Sequence, residues 1–193
     1  MTVIYQHHGI KTTFDHRDYR SRLEARWAAF FAYIGWPFEY EPFDLKGWIP
    51  DFGLFGAKET VLVEVKPIAV FDEDVADELD AVETKHEILL LGCTVNATDA
   101  WGETSIGWLG ERYWQDDTYA TSRLNWGNAM VGVWSECGTL GFCHETGSFH
   151  DRISGKHDGG CYGQKQELHG VTIPQALKLA WATAGNRVQW QKR

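Results

Sequence analysis

Pro50-Asp51 stands thirteen positions before Glu64, and Lys66 follows Glu64 by two. Two carboxylates and an amine are the residue types that metal-dependent phosphodiester hydrolysis needs. Carboxylates converging on one point repel unless a cation separates them. Hard divalent cations such as Mg²⁺ or Mn²⁺ accept one or two carboxylates together with waters and a substrate phosphate. The metal would polarise a phosphoryl oxygen and activate bound water. Lys66 would orient that water or stabilise charge on the phosphate.

The elements around these residues must bring them together. Trp48-Ile49-Pro50-Asp51-Phe52-Gly53-Leu54 reads as an extended run ending near Gly56, and Val61-Leu62-Val63-Glu64-Val65-Lys66 as a strand stopped by Pro67. Side chains alternate along a strand, so Glu64 and Lys66 share one face, roughly 7 Å apart at the strand rise. Asp51 on a neighbouring strand would meet Glu64 across the pair. The plain alternative is a surface hairpin with an ordinary Glu/Lys pair. The proline ahead of Asp51, and the β-branched setting of a charge pair that a buried strand seldom holds, favour a site.

On these residues the chain resembles the PD-(D/E)xK nuclease superfamily, and within it small nuclease-like proteins common in phage genomes. The similarity extends upstream: Tyr19-Arg20-Ser21-Arg22-Leu23-Glu24-Ala25-Arg26-Trp27-Ala28 resembles their first helix, followed by Tyr40-Glu41-Pro42, Pro50-Asp51 and Val63-Glu64-Val65-Lys66. It covers roughly residues 17 to 95, about two-fifths of the chain. The resemblance implies an α/β (α+β) fold: a central mixed β-sheet flanked by helices, with an αβββαβ restriction-endonuclease-like core. It implies Asp51, Glu64 and the helix-borne Glu24 as Mg²⁺ or Mn²⁺ ligands and Lys66 as the catalytic lysine; the function expected is hydrolysis of phosphodiester bonds in DNA, with RNA left open as a substrate. Many members dimerise to cut two strands, and a homodimer stays open here. Exonuclease-like branches carry Gln-x-x-x-Tyr in the helix after the lysine strand. Residues 72–87 contain neither Gln nor Tyr, which weighs against those branches while leaving both endonuclease and exonuclease action open.

Glu24 has a second reading. Ser21-Arg22-Leu23-Glu24 fits a capping box, with Ser at the N-cap and Glu at N3. The apolar residues Leu23, Trp27, Phe30, Phe31 and Ile34 run at helical spacing, with Glu24 at the edge of their stripe.

The formal net charge of −9 argues against a generic nucleic-acid binder. The charge is uneven, however. Residues 72–87 hold eight acidic residues against Lys85 alone, a net −7 that leaves −2 elsewhere. If that acidic helix lies away from the active face, the face is near neutral. Arg17, Arg20, Arg22 and Arg26 cluster on or near the first helix, where phosphates could be met. A catalytically silent nuclease-like module, binding nucleic acid or a host or viral protein, is therefore carried as the alternative function.

With 193 residues the chain has the length of one domain. We divide it into a nuclease-like core over 1–114 and a C-terminal Gly/Cys/His-rich extension over 115–193 that packs on the core. No apolar run reaches the ~18 residues a membrane span needs, and the N-terminus lacks the charged and apolar regions of a signal peptide. Cytoplasmic location, in a host if phage-encoded, and reduced thiols follow as expectations. Ten tryptophans predict extensive aromatic packing.

Phe38 to Phe43 reads as a strand before a turn at Lys46-Gly47. Asp72 caps a helix with Val75, Leu79, Val82 and His86 inward, and Ile88 to Val95 is an apolar strand. Thr104–Leu109 and Glu111–Trp114 form a predicted hairpin around Gly110, with Gly107 and Gly110 as twist or bulge sites. Residues 115–130 carry no clear pattern. Thr172-Ile173-Pro174 opens a final helix with Ile173, Leu177, Ala180, Trp181 and Ala184 on one face and Gly185 at its end. The segment 137–161 holds zinc-ligand types in Cys137, Cys143, His144 and Cys161, beside His150 and His157, without any Cys-x-x-Cys spacing. Its two readings are an irregular structural Zn²⁺ site and a glycine-rich loop with buried cysteines. Neither a Gly-x-x-x-x-Gly-Lys-Ser/Thr loop nor Gly-x-Ser-x-Gly is present.

Overall fold

Ser21 starts the first helix, α1 (Arg22–Ile34), by accepting the Glu24 N–H on its hydroxyl at 3.1 Å, and Gly35 ends it at φ 77°. The run Ala25, Trp27, Ala28, Ala29, Phe30 and Phe31 is buried, while Leu23 and Ile34 are half-buried. A computed structural model describes residues 9–95, 104–112, 123–134, 138–147, 150–156, 164–165 and 167–188. Within them, a hairpin of β1 (Thr12–Phe14) and β2 (Arg17–Tyr19) precedes α1. Its turn residues Asp15 and His16 both have positive φ, at 47° and 63°, as a tight two-residue hairpin turn requires. Neither is glycine, so no sequence signal marks it.

After α1 come β3 (Phe38–Tyr40), β4 (Phe52–Phe55), β5 (Thr60–Val65), α2 (Glu73–Asp80) and β6 (Glu87–Leu91). That order is helix, three strands, helix, strand. Next are β7 (Ser105–Glu111), β8 (Asn125–Trp134), β9 (Leu140–His144), β10 (Gln164–Lys165), the short hairpin β11 (Glu167–Leu168) and β12 (Val171–Thr172), and α3 (Ile173–Arg187). The central sheet has eight strands, running β3-β4-β5-β6-β7-β8, with β9 and β10 both on β8. It is mixed: β5 and β6 are parallel, and the other described pairs are antiparallel. The fold is therefore an α/β arrangement around a mostly antiparallel sheet. No described helix is long and apolar enough to cross a membrane.

Alternation divides the sheet into two faces. Val61, Val63, Val65, Leu89 and Leu91 join one apolar cluster with α1 and α3, where the Trp27 and Trp181 rings lie 4.5 Å apart. Ile88 and Leu90 join the other, with Leu79 of α2, Leu124 and the half-buried Trp48, Trp108 and Trp126. β8 pairs along β7, so the sheet runs without a break across the 114/115 boundary drawn from sequence.

Several local expectations change. The region around Gly110 is not a hairpin: β7 runs unbroken through it. A Cβ at Gly110 would lie 3.0–3.1 Å from Leu124 and Trp126, so this glycine admits neighbouring side chains rather than turning the chain. Gly107 does lie in a register shift between Ser105 and Trp108, where a Cβ would meet the Leu90 carbonyl oxygen at 2.4 Å. The Ile88–Val95 strand ends at Leu91, and the Phe38–Phe43 strand at Tyr40. α2 stops at Asp80, so Val82 and His86 lie beyond the helix.

The α3 stripe Ile173, Leu177, Ala180, Trp181 and Ala184 is buried as the periodicity requires. Gly185 does not end that helix. It sits inside α3, where a Cβ would come 3.0 Å from the Arg26 guanidinium. The missing side chain thus lets α1 and α3 approach.

Candidate active site

β4 and β5 pair antiparallel with Phe52 opposite Val63. That register carries Asp51, just before β4, toward Glu64 and Lys66 at the far end of β5. Asp51 is buried, and its Oδ2 accepts the Val65 N–H at 2.8 Å. Glu64 is buried as well; its Oε1 meets Lys66 Nζ at 2.8 Å and its Oε2 accepts the Trp48 indole N–H at 2.9 Å. Lys66 donates its backbone N–H to the Leu91 carbonyl at 2.9 Å, which ties the end of β5 to β6.

Glu24 enters from α1. Its Oε2 accepts the Tyr40 hydroxyl at 2.7 Å and the Arg20 N–H at 3.2 Å. The capping-box expectation thus holds for Ser21, while the Glu24 carboxylate turns to Arg20 and Tyr40. Arg20 joins the groups: its Nη2 lies 2.5 Å from Asp51 Oδ1, and its Nε lies 3.0 Å from Glu41 Oε1 and 3.9 Å from Glu24 Oε2. Glu41 has φ 49°, uncommon for a residue other than glycine, and its N–H donates to the Asp51 carbonyl at 3.0 Å.

The electrostatics follow from this crowding. Burial, then repulsion from Glu64, pushes the Asp51 carboxyl up to about 7, although the Val65 N–H and Arg20 pull the other way. Burial works against the Lys66 ammonium. The charge and hydrogen bond of Glu64 outweigh it, helped by Asp51 and Glu78, and hold its pKa above the ordinary value. Burial and the hydrogen bond to Glu24 push the Tyr40 hydroxyl up to about 12. Glu78 of α2 adds a smaller contribution to the raised Lys66 pKa.

The four arginines expected to meet phosphates have separate fates. Arg17 and Arg22 are exposed. Arg20 belongs to the acidic cluster. Arg26 is turned inward: its Nε and Nη2 donate to the Trp181 carbonyl at 3.2 and 2.9 Å, and its guanidinium stacks 3.9 Å over the Trp181 ring. That is a helix-packing role. Of the expected zinc set, only Cys143 and His144 lie among the described residues. Cys143 and His144 are consecutive in β9 and point to opposite faces of the sheet. The His144 Nδ1 accepts the Thr146 and Gly147 N–H groups at 3.2 and 2.8 Å, and its Nε2 donates to the Asn125 carbonyl at 3.0 Å. Cys137, His157 and Cys161 lie outside the described residues. His150 instead pairs with Glu59.

Three participants escaped the sequence reading: Trp48, Tyr40 and Glu41. Tyr40-Glu41-Pro42 was visible as a motif without a role. Trp48 carried no signal, because its task depends on the turn closed by the Leu45 and Trp48 backbone pairing.

Among the described residues no three His, Cys, Asp or Glu side chains form a ready cation cage. The donor chemistry nevertheless fits a hard divalent ion: two buried carboxylates repel each other, and each is held by a monovalent cation that a divalent one could replace. The raised Asp51 pKa then sets a pH dependence. A carboxyl near 7 in the fold and near 3.8 unfolded favours folding with its proton on. That contribution is full below about pH 4 and is lost as pH rises through about 7. A metal ligand must shed the same proton, so Mn²⁺ affinity is expected to climb with pH and level off above about 7. Calorimetry in two buffers of different ionisation enthalpy would read the released proton. A flat affinity from about pH 5.5 to 8 would show that no such proton is displaced.

Comparison of the chain with protein-family models, with curated proteins and with solved structures finds no match.

Proposed function

We propose that this chain is a Mg²⁺- or Mn²⁺-dependent nuclease that hydrolyses phosphodiester bonds in DNA, built on a restriction-endonuclease-like core over α1, β3, β4, β5, α2 and β6. One observation carries the reading: the β4–β5 register brings Asp51 and Glu64, both buried, to the same end of the sheet, with Lys66 Nζ 2.8 Å from Glu64. Asp51 and Glu64 would hold the metal, with Glu24 supporting it from α1. The ion, when bound, would supply positive charge to the reacting phosphate and lower the pKa of a bound water.

The chain's own groups do the positioning. Trp48 and Lys66 each hold one oxygen of Glu64, and the Val65 N–H holds one of Asp51. The raised Lys66 pKa keeps its ammonium protonated at neutral pH, so it acts as a hydrogen-bond donor and positive charge toward the reacting phosphate, not as a base. Arg17 and Arg22, exposed beside the site's first helix, are the cations available for the nucleic-acid backbone.

A second reading, the catalytically silent binding module, is favoured by the ion pairs Arg20–Asp51 and Lys66–Glu64, which satisfy both carboxylates without a metal. Cleavage of supercoiled plasmid, linear duplex, single strand, branched junction and RNA with Mg²⁺ or Mn²⁺ separates the two. The nuclease reading expects metal-dependent cutting of at least one DNA, lost in Glu64→Ala. No cutting of any substrate, with no Mn²⁺ site in calorimetry, would leave the binding module.

A further inference from the structure

The guanidinium of Arg20 meets carboxylates from three parts of the chain: Asp51 ahead of β4, Glu41 after β3, and Glu24 in α1. Two of these acids have donors besides its guanidinium. Asp51 has the Val65 N–H, and Glu24 has the Tyr40 hydroxyl. Arg20 is the exposed partner, with a side chain 55% accessible against 6% for Asp51 and 10% for Glu24. The buried Asp51 and Glu24 carboxylates are therefore the frame, and the half-exposed guanidinium is the group on their solvent side.

Glu41, its side chain 36% accessible, gives it an anchor on the exposed side of the cluster. Its left-handed backbone, at φ 49°, is the sort of local strain that gathers at working positions. Lys66 is committed to Glu64, so the site holds one ammonium on β5's end and one half-exposed guanidinium.

We propose that Arg20 is the resident cation of the acidic site: it occupies the charge position that a divalent ion takes, releases Asp51 when that ion binds, and then serves the substrate phosphate from its anchor on Glu41. This rests on the metal-nuclease reading. A monovalent guanidinium is a weaker competitor than a divalent ion for buried carboxylates, and a guanidinium suits a phosphate through its forked donors.

The test is Mn²⁺ titration by calorimetry at one pH, about 8, with wild type, Arg20→Gln and Arg20→Lys, beside duplex binding in Ca²⁺. Losing a half-exposed competing ion pair should tighten Mn²⁺ binding about fivefold in Arg20→Gln, while duplex binding weakens. Arg20→Lys keeps the charge but not the reach to Asp51 and Glu41 together, and should fall between the two. It carries the test if Arg20→Gln loses its fold, which circular dichroism would report. Equal or weaker Mn²⁺ binding in the variants, with a clear site in the wild type, would overturn the resident-cation role and leave the nuclease reading standing. No Mn²⁺ site in any of the three would overturn both.

Discussion

Lys66→Ala is expected to lower metal-dependent cleavage by about 10²–10⁴-fold, the range lost when a positioned electrostatic or proton-handling group is removed. Its Nζ is the only lysine group placed on Glu64 among the described residues, at 2.8 Å. The backbone bond from Lys66 to Leu91 does not involve the side chain, and that side chain is about one-third exposed, so the fold should persist. Glu64 keeps its Trp48 partner and loses a competing cation. Mn²⁺ binding should therefore survive, giving a variant that loads metal but does not cut. Single-turnover cleavage and calorimetry on one sample would separate the two effects. Cleavage within a few-fold of wild type would remove Lys66 from the chemistry, and loss of metal binding together with cleavage would recast it as a support for Glu64.

The largest stability effect should come from a residue far from that site. Arg152 is fully buried, and its guanidinium lies 2.7 and 3.0 Å from the two Glu87 oxygens and 3.3 Å from Glu111, with Glu59 at 3.6 Å. Burial opposes its charge, but these carboxylates, Glu87 foremost, hold its pKa above the ordinary value. The residue pins the segment after β9 to the starts of β5 and β6 and the end of β7. Its N–H also donates to the Phe142 carbonyl at 2.9 Å.

Truncating one partner of a buried ion pair leaves the others desolvated and uncompensated, at a cost of about 3–5 kcal/mol. Arg152→Ala should lose stability on that scale in urea unfolding at neutral pH. Glu87→Gln in the same background should recover part of it, since the glutamine carries no charge to strand. A loss below about 1 kcal/mol would mean that water or rearrangement relieves the acids, and that the cluster does not fasten this segment.

The legible part of this protein was the part governed by local pattern. Ser21 capped α1, Asp72 capped α2 through the Asp74 and Val75 N–H groups, and the α3 stripe was buried residue for residue. Val61 to Val65 read as a strand because β-branched and apolar side chains dominate it. Asp51, Glu64 and Lys66 were legible as a group, since a charge pair in such a strand has few structural uses, and the fold does bring them to one end of β5.

The glycines were misread where they serve neighbours distant in sequence. Gly110 and Gly185 looked like a turn and a helix end. One makes room for Leu124 and Trp126, the other for Arg26. No local signal distinguishes a glycine that bends the chain from one that lets another element approach. The separate settings of Arg20 and Arg26 were not legible for the same reason. Four basic residues in ten positions suggested one phosphate-binding face, but helical geometry and the arrival of α3 sent Arg26 to Trp181 and left Arg20 among carboxylates.

The sequence by itself determined the helix or strand type of α1, β3, β4, β5, α2 and β6 and grouped Asp51, Glu64 and Lys66 at the end of β5, while the β1–β2 hairpin and the run of β7 through Gly110 carried no local signal. The legible elements depend on side-chain periodicity and capping, which act over a few residues. Only the tertiary structure decided that Arg20, Tyr40, Glu41 and Trp48 complete the acidic site, that α2 lends Lys66 the field of Glu78, and that Arg152 bridges three strands. Each of those depends on contacts between segments separated by many residues. Such contacts are set by how the sheet and helices pack, and no local stretch of sequence encodes them.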